Sequence, residues 1–207
     1  MAQVFTKGDI TAELLLLKSL EGAAFGAKLK EIAGRKEFHA LQDSPFIYTI
    51  GGGNHLSSDP DFPSLLMAAQ KAVEHGYRVF MLPNPHGLKT PDYILERRGV
   101  YKLFDLKNIS GRNIVHTRLK ESIAQANRAL LNMPQYNTRK LVHDIRKYFV
   151  KQPDAIEVLI FKGKSEICAE KVSTKLASFR IITYLCPHIY IIYIFESTLK
   201  SRIVRPH

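Results

Sequence analysis

Thr90-Pro91-Asp92-Tyr93-Ile94-Leu95-Glu96-Arg97-Arg98-Gly99-Val100-Tyr101-Lys102-Leu103-Phe104-Asp105-Leu106-Lys107 is the stretch on which the reading of this chain turns. Two β-prone runs, Asp92–Leu95 and Val100–Leu106, flank Glu96-Arg97-Arg98-Gly99, and that spacing predicts a β-hairpin. If the turn closes symmetrically, Leu95 pairs with Val100 and Asp92 falls opposite Leu103. Asp92 is then a diagonal, same-face neighbour of Asp105, at roughly 7–8 Å between α-carbons. Strand alternation puts Asp105 and Lys107 on one face and turns Phe104 and Leu106 to the core. Two carboxylates so placed can converge on one hard divalent cation, since magnesium takes one or two carboxylates and completes its shell with water and phosphate oxygens. Lys107, one strand step on, is placed to orient an attacking water or to offset charge on a phosphate.

Working outward, the pattern alternates helix and strand. Leu65, Leu66, Ala69 and Val73 give a helix from about Phe62 to His75 a buried face, and Gly76 is a stop signal. Tyr77–Leu82 reads as a short strand closed by Pro83 and Pro85. Beyond the hairpin, Leu119, Ile123, Ala126 and Leu130 predict a helix from about Val115 to Leu131. Leu141–Phe149 predicts another helix, and Ala155–Phe161 an inner strand. The fold class is therefore α/β, a mixed central sheet flanked by helices. Three segments are expected: a helical N-terminal extension (1–45), an α/β domain (46–165), and an apolar and basic C-terminal tail (166–207). The fifteen-residue Ile181–Phe195 run is shorter than the ~20 residues a spanning helix needs, so extra strands, or a read-through tail not shaped with the core, are preferred to a membrane segment.

Composition narrows the partners. Across 207 residues, 45% hydrophobic and 24% charged content excludes a wholly disordered or polytopic membrane chain. Thirty Lys and Arg against nineteen Asp and Glu give a formal charge of +11, which favours a polyanionic partner, and nucleic acid and an anionic membrane surface both fit that charge. From Arg97 to Lys151 there are thirteen Lys or Arg against Asp105, Glu121 and Asp144. Arg112, Arg118 and Arg128 follow the hairpin and are candidate phosphate contacts. Cys168 and Cys186 make no zinc site or disulfide framework by themselves. Asp9 and Glu13 precede the Leu14–Leu17 run where a secretory signal would be basic, so no signal peptide is expected. Gly51-Gly52-Gly53 lacks a Walker lysine and is not a nucleotide-phosphate loop.

Pro91-Asp92 followed by Asp105-Leu106-Lys107 resembles the PD-(D/E)XK motif of the restriction-endonuclease-like nucleases. More narrowly, Gly51 to Pro134 is similar to the C-terminal nuclease domains of bacterial polymorphic and contact-dependent inhibition toxins and related phage-encoded domains. The shared elements are a glycine-rich start, a helix, Gly76-Tyr77, Leu82-Pro83, Thr90-Pro91-Asp92, the hairpin with its Asp105-Leu106-Lys107, and Gln125-Ala126. The resemblance implies a restriction-endonuclease-like core in which Asp92 and Asp105 ligate Mg²⁺ or Mn²⁺ and Lys107 is the catalytic lysine. It also implies that Gln125 faces the site from a helix. Many members carry a glutamate on the first helix. Here the only one is Glu74, at its far end, and Asp61 just before the helix is the nearest substitute for a third acidic ligand.

The function this implies is metal-dependent hydrolysis of nucleic acid, with RNA, particularly tRNA, favoured over DNA. An acidic immunity protein is implied as a partner, and the cytoplasm, the chain's own or a target bacterium's, as the place of action. Two alternatives stay open: a non-catalytic nucleic-acid-binding module that kept the fold, and a membrane-associated protein held through residues 181–195.

Overall fold

The structure is a computed structural model that describes residues 13–14, 17, 22–50, 61–83, 90–109, 115–133, 138–162, 165–173, 178–186, 189–196 and 199–204. The chain divides into two compact units, Met1–Asp105 and Leu106–His207, and passes from one to the other along a single strand. Both are mixed α/β. The three segments expected from composition and motif do not coincide with this division.

The first unit holds α1 (Gly22–Ala33), β1 (Phe38–Leu41), β2 (Ser44–Ile50), α2 (Phe62–Glu74), β3 (Arg78–Met81), β4 (Tyr93–Arg97) and β5 (Val100–Asn108), whose last three residues belong to the second unit. The hairpin β1–β2 is antiparallel, β2 and β3 are parallel with α2 as the crossover, and β3, β4 and β5 continue antiparallel. Leu65, Ala68, Ala69 and Ala72 recur at helical spacing on α2 and are its buried face. Three alanines in four positions let that helix lie close on β2 and β3. Tyr93 fastens it: its hydroxyl donates to the Leu65 carbonyl at 2.8 Å, a buried bond from β4 to α2. On β3, Phe80 stacks on Tyr48 at 4.8 Å between centroids and meets Phe38 edge-on at 5.4 Å.

The hairpin turn is tighter than the sequence suggested. Arg97 pairs with Val100, so only Arg98 and Gly99 lie in the turn. Both have positive φ, 55° and 80°, the requirement of a type I′ connection, whose twist matches that of the flanking strands. Glu96 closes it by accepting the Gly99 amide at 2.6 Å and the Arg78 guanidinium from β3. The register moves accordingly: Leu95 faces Lys102 and Tyr93 faces Phe104, in place of the expected pairing of Leu95 with Val100.

The second unit continues with α3 (Val115–Ser122), β6 (Arg128–Asn132), α4 (Thr138–Lys151), β7 (Glu157–Lys162), β8 (Ser165–Ser173), β9 (Ser178–Cys186), β10 (Ile189–Glu196) and β11 (Leu199–Val204). Here β6 and β7 are parallel with α4 as the crossover, and β7 to β11 form an antiparallel meander. Leu141, Ile145, Tyr148 and Phe149 are the buried stripe of α4. Val158, Leu159 and Ile160 are all buried, as befits an inner strand covered on both faces.

Two expectations are corrected. The helix expected from Val115 to Leu131 stops at Ser122, whose carbonyl accepts the amides of Gln125 and Ala126 at 2.8 and 3.0 Å in a turn. Residues 128–132 are strand, because Ala129, Leu130 and Leu131 are wholly buried beside β7 and that pairing overrides their helix propensity. Nor is the C-terminal stretch an appendage: Ile167, Ala169 and Ile181 sit in the same core cluster as Ile145 and Val158. The preference for strands over a membrane segment at 181–195 agrees with β9 and β10. Among the described residues, no helix is long and apolar enough to cross a membrane.

Candidate functional site

Asp92 precedes β4 by one residue, yet its backbone is held from both sides. Its amide donates to the Phe104 carbonyl at 3.1 Å, and its carbonyl accepts the Leu82 amide at 2.8 Å. Tyr93 pairs with Phe104 on the neighbouring antiparallel strand, so Asp92 and Asp105, the next residue on each strand, lie beyond the same side of that pair and beside one another. Asp92 is half-buried. Asp105 is wholly buried, in a run Leu103 to Leu106 that is buried throughout. Both carboxylates act on one phenol. Burial first, then the negative charges of Asp92 and Asp105, push the Tyr93 hydroxyl well above its ordinary value.

That arrangement has a chemical consequence. A carboxylate removed from water stays ionised only where positive charge or donors compensate it, and a second carboxylate nearby sharpens the need. A divalent cation with hard oxygen preference answers both, and two aspartates are a donor set that magnesium or manganese accepts. Lys107 lies two residues beyond Asp105 on β5 and is half-buried.

The other expected site residues are dispersed. Gln125 is half-buried in the turn after α3, not on a helix. Asp61 is exposed at the start of α2, and Glu74 is exposed at its other end. Arg112 and the Gly51–His55 segment lie outside the described residues. Arg118 is exposed and ion-paired to Glu121 at 2.9 Å. Arg128 is committed inward, its Nε donating to Glu157 at 3.1 Å.

Glu157 belongs to a cluster that no sequence motif announced. Across β6, β7, β8 and β9 the register sets Arg128 beside Glu157, Glu157 beside Glu170, and Glu170 beside Arg180. The Cys168 thiol stands among them, donating to Glu157 at 3.3 Å and lying 3.7 Å from Glu170. Ligand atoms of Glu157, Cys168 and Glu170 all fall within 4.8 Å of one another, close enough to hold a metal ion. A thiolate with two carboxylates suits a borderline metal better than magnesium. Each carboxylate already has a guanidinium, Arg128 on one side and Arg180 on the other, so the row is balanced in charge without an ion.

No family model matches the chain. Nor does any curated protein. Among solved structures, a CdiA-CT/CdiI toxin and immunity complex from Burkholderia pseudomallei is similar at 19% identity and a TM-score of 0.36, over 48% of this chain and 76% of that one. The likeness is partial and distant.

The Arg–Glu–Glu–Arg row escaped sequence reasoning because its members come from four strands spanning Arg128 to Arg180. The one local sign was polar residues at alternate positions, Glu166, Cys168 and Glu170, in an otherwise apolar run.

Proposed function

We propose that the chain is a divalent-metal-dependent nuclease, with Asp92 and Asp105 as the metal ligands and Lys107 as the cation beside the scissile phosphate. The observation that carries this reading is the position of the two aspartates side by side on neighbouring strands, next to the Tyr93–Phe104 pair, where the charge of each raises the pKa of the buried Tyr93 phenol. The spacing of Pro91-Asp92 and Asp105-Leu106-Lys107 supports the same reading.

A bound magnesium or manganese ion would supply Lewis acidity and lower the pKa of a coordinated water. The chain's own part is to hold and orient. The Asp92 backbone is pinned between β3 and β5, so its carboxylate is presented from a sheet rather than from a loose loop. Asp105, buried among Leu103, Phe104 and Leu106, has its rotamer set by packing and keeps bulk water from its oxygens. Lys107 neutralises charge on the phosphate or orients the water. Asp61 is a secondary candidate for a third acid.

The substrate class is nucleic acid, with RNA and in particular tRNA ahead of DNA, in a toxin-type nuclease acting in the cytoplasm of a target bacterium and held in check by an acidic immunity protein. That finer reading is supported by the resemblance of Gly51 to Pro134 to toxin nuclease domains. The test is incubation of the full chain with total RNA and with plasmid DNA, in Mg²⁺ and in EDTA. Cleavage that needs the metal and disappears in Asp105→Asn supports the reading, and cleavage retained in that variant overturns the ligand assignment. A non-catalytic nucleic-acid-binding module is favoured by one observation, the exposed position of Glu74 at the far end of α2. Metal-independent binding without cleavage would establish it.

A further inference from the structure

The solvent face of α4 is basic along its whole length. Arg139, Lys140, His143, Arg146, Lys147 and Lys151 are all exposed, opposite the buried stripe of Leu141, Ile145, Tyr148 and Phe149. At about 1.5 Å per residue the row extends roughly 18 Å, the axial length of about five nucleotides of one duplex strand.

Helix stability does not explain this face. Cations in the last turn favour the negative end of a helix dipole, but Arg139 and Lys140 stand in the first turn, where the same dipole repels them and where no acid is present. Lys147 and Lys151 are four residues apart on the helix, which sets like charges together. Outside α4, Lys28, Arg35, Arg78, Arg118, Arg128 and Arg180 each have a carboxylate partner. Among the described residues, Arg139, Arg146, Lys147 and Lys151 form no ion pair. The field is strong enough to act on α3, where burial and then Lys147 and Lys151 hold the His116 imidazole below its ordinary value, opposed by Asp144.

We infer that the solvent face of α4 is a docking surface for the phosphate backbone of a nucleic acid. Charge complementarity selects a polyanion, and the absence of an apolar centre selects nucleic acid over an acidic protein. Protein interfaces bury a hydrophobic core with aromatic anchors, whereas this face offers only Val150. Recognition by a row of cations is a matter of charge and spacing, so the surface follows a backbone without reading bases. This surface deepens the nuclease reading by locating the substrate contact, but it lies on a different unit from Asp92 and Asp105, so the two can fail separately.

The test is fluorescence anisotropy of a labelled RNA hairpin with the full chain in EDTA, across a salt series, for the natural chain and for Arg146→Ala/Lys147→Ala/Lys151→Ala. Alanine is the best helix former and the three side chains are exposed, so the variant keeps its fold, which circular dichroism verifies. The expected result is a loss of about two to three units of log–log salt slope and at least about tenfold weaker binding near 0.1 M salt. Unchanged slope and affinity overturn the proposal. Competition by polyglutamate as effective as by polyuridylate at equal charge also overturns it and assigns the face to an acidic protein. Cleavage in Mg²⁺ with wild-type binding in the triple variant leaves the nuclease reading standing and removes this one. Salt-dependent binding lost in the triple variant, with no cleavage in the natural chain, does the reverse.

Discussion

Asp92 and Asp105 stand beside one another on neighbouring strands, on the same side of the cross-strand pair Tyr93–Phe104, and both raise the pKa of the Tyr93 phenol. The two-residue turn at Arg98-Gly99 produces this relationship, because each residue added to the loop would slide one strand along the other. The four-residue turn suggested by the sequence would have set Asp92 opposite Leu103. The observed register carries it two residues further, beside Phe104 and Asp105.

If the two aspartates share a metal, Asp92→Asn and Asp105→Asn each lower nucleic-acid cleavage by at least about a hundredfold, since metal charge stabilisation amounts to several kcal/mol of barrier. The double variant is no worse than the worse single, because ligands of one ion act as a unit. Cleavage assays check activity and calorimetric titration with Mn²⁺ checks the metal. Mn²⁺ binding unaltered in both variants would move the metal elsewhere.

Glu96 makes stability depend on pH. Burial raises its pKa, but the hydrogen bonds from Arg78 and from the Gly99 amide outweigh burial and leave it below the ordinary carboxylate value. A group with a depressed folded pKa contributes stability that is present above its unfolded value and is lost as pH falls through the folded one. Glu96→Gln therefore costs about 1.5–3 kcal/mol at neutral pH, the range of a hydrogen bond to a charged group, and the variant loses less on acidification. Urea denaturation at pH 7 and below pH 4 measures both, and parallel pH curves for the two proteins would contradict the assignment.

Arg128 is a structural cation in this fold. Arg128→Ala strands the Glu157 carboxylate, only 3% exposed, and is expected to destabilise the chain by about 3 kcal/mol. Replacing both residues with methionine recovers much of the loss, because the buried charge goes with its partner. Denaturant melts give the energies. The salt slope of RNA binding stays the same in the double variant, and a slope reduced by one unit would return Arg128 to the phosphate contacts.

Ending the chain near Ser165 removes β8 to β11 and with them Ile167, Ala169 and Ile181 from the core of the second unit. A buried isoleucine is worth about 1.5–3 kcal/mol, and the whole chain has only about 5–15 kcal/mol to lose. The shortened chain is expected to lose cooperative unfolding and to aggregate through the bared edge of β7. A melt that matches the full chain would show residues 166–207 to be dispensable.

Local pattern was sufficient where one element carried its own information. The apolar spacing on Phe62–Glu74 and Leu141–Phe149, the Ala155–Phe161 run and the two arms of the hairpin all read correctly from the sequence, because amphipathic period and turn residues act over a few positions. The α/β class follows from their order. Asp92, Asp105 and Lys107 could be proposed together for the same reason, since they fall within sixteen residues.

Tertiary structure decided what depends on partners. Residues 128–132 have the composition of a helix and become a strand because β7 offers parallel hydrogen bonds and a dry face on each side. The turn length set the register of the two aspartates by two residues, which alternation along a single strand cannot reveal. Arg128, one of many basic residues in the sequence, is drawn inward by a carboxylate twenty-nine positions away, while Arg139, Arg146, Lys147 and Lys151 of α4 stay exposed and, among the described residues, form no ion pair. Charge in a sequence is a sum; which charges are neutralised inside and which remain for a partner is settled only when the strands are laid side by side.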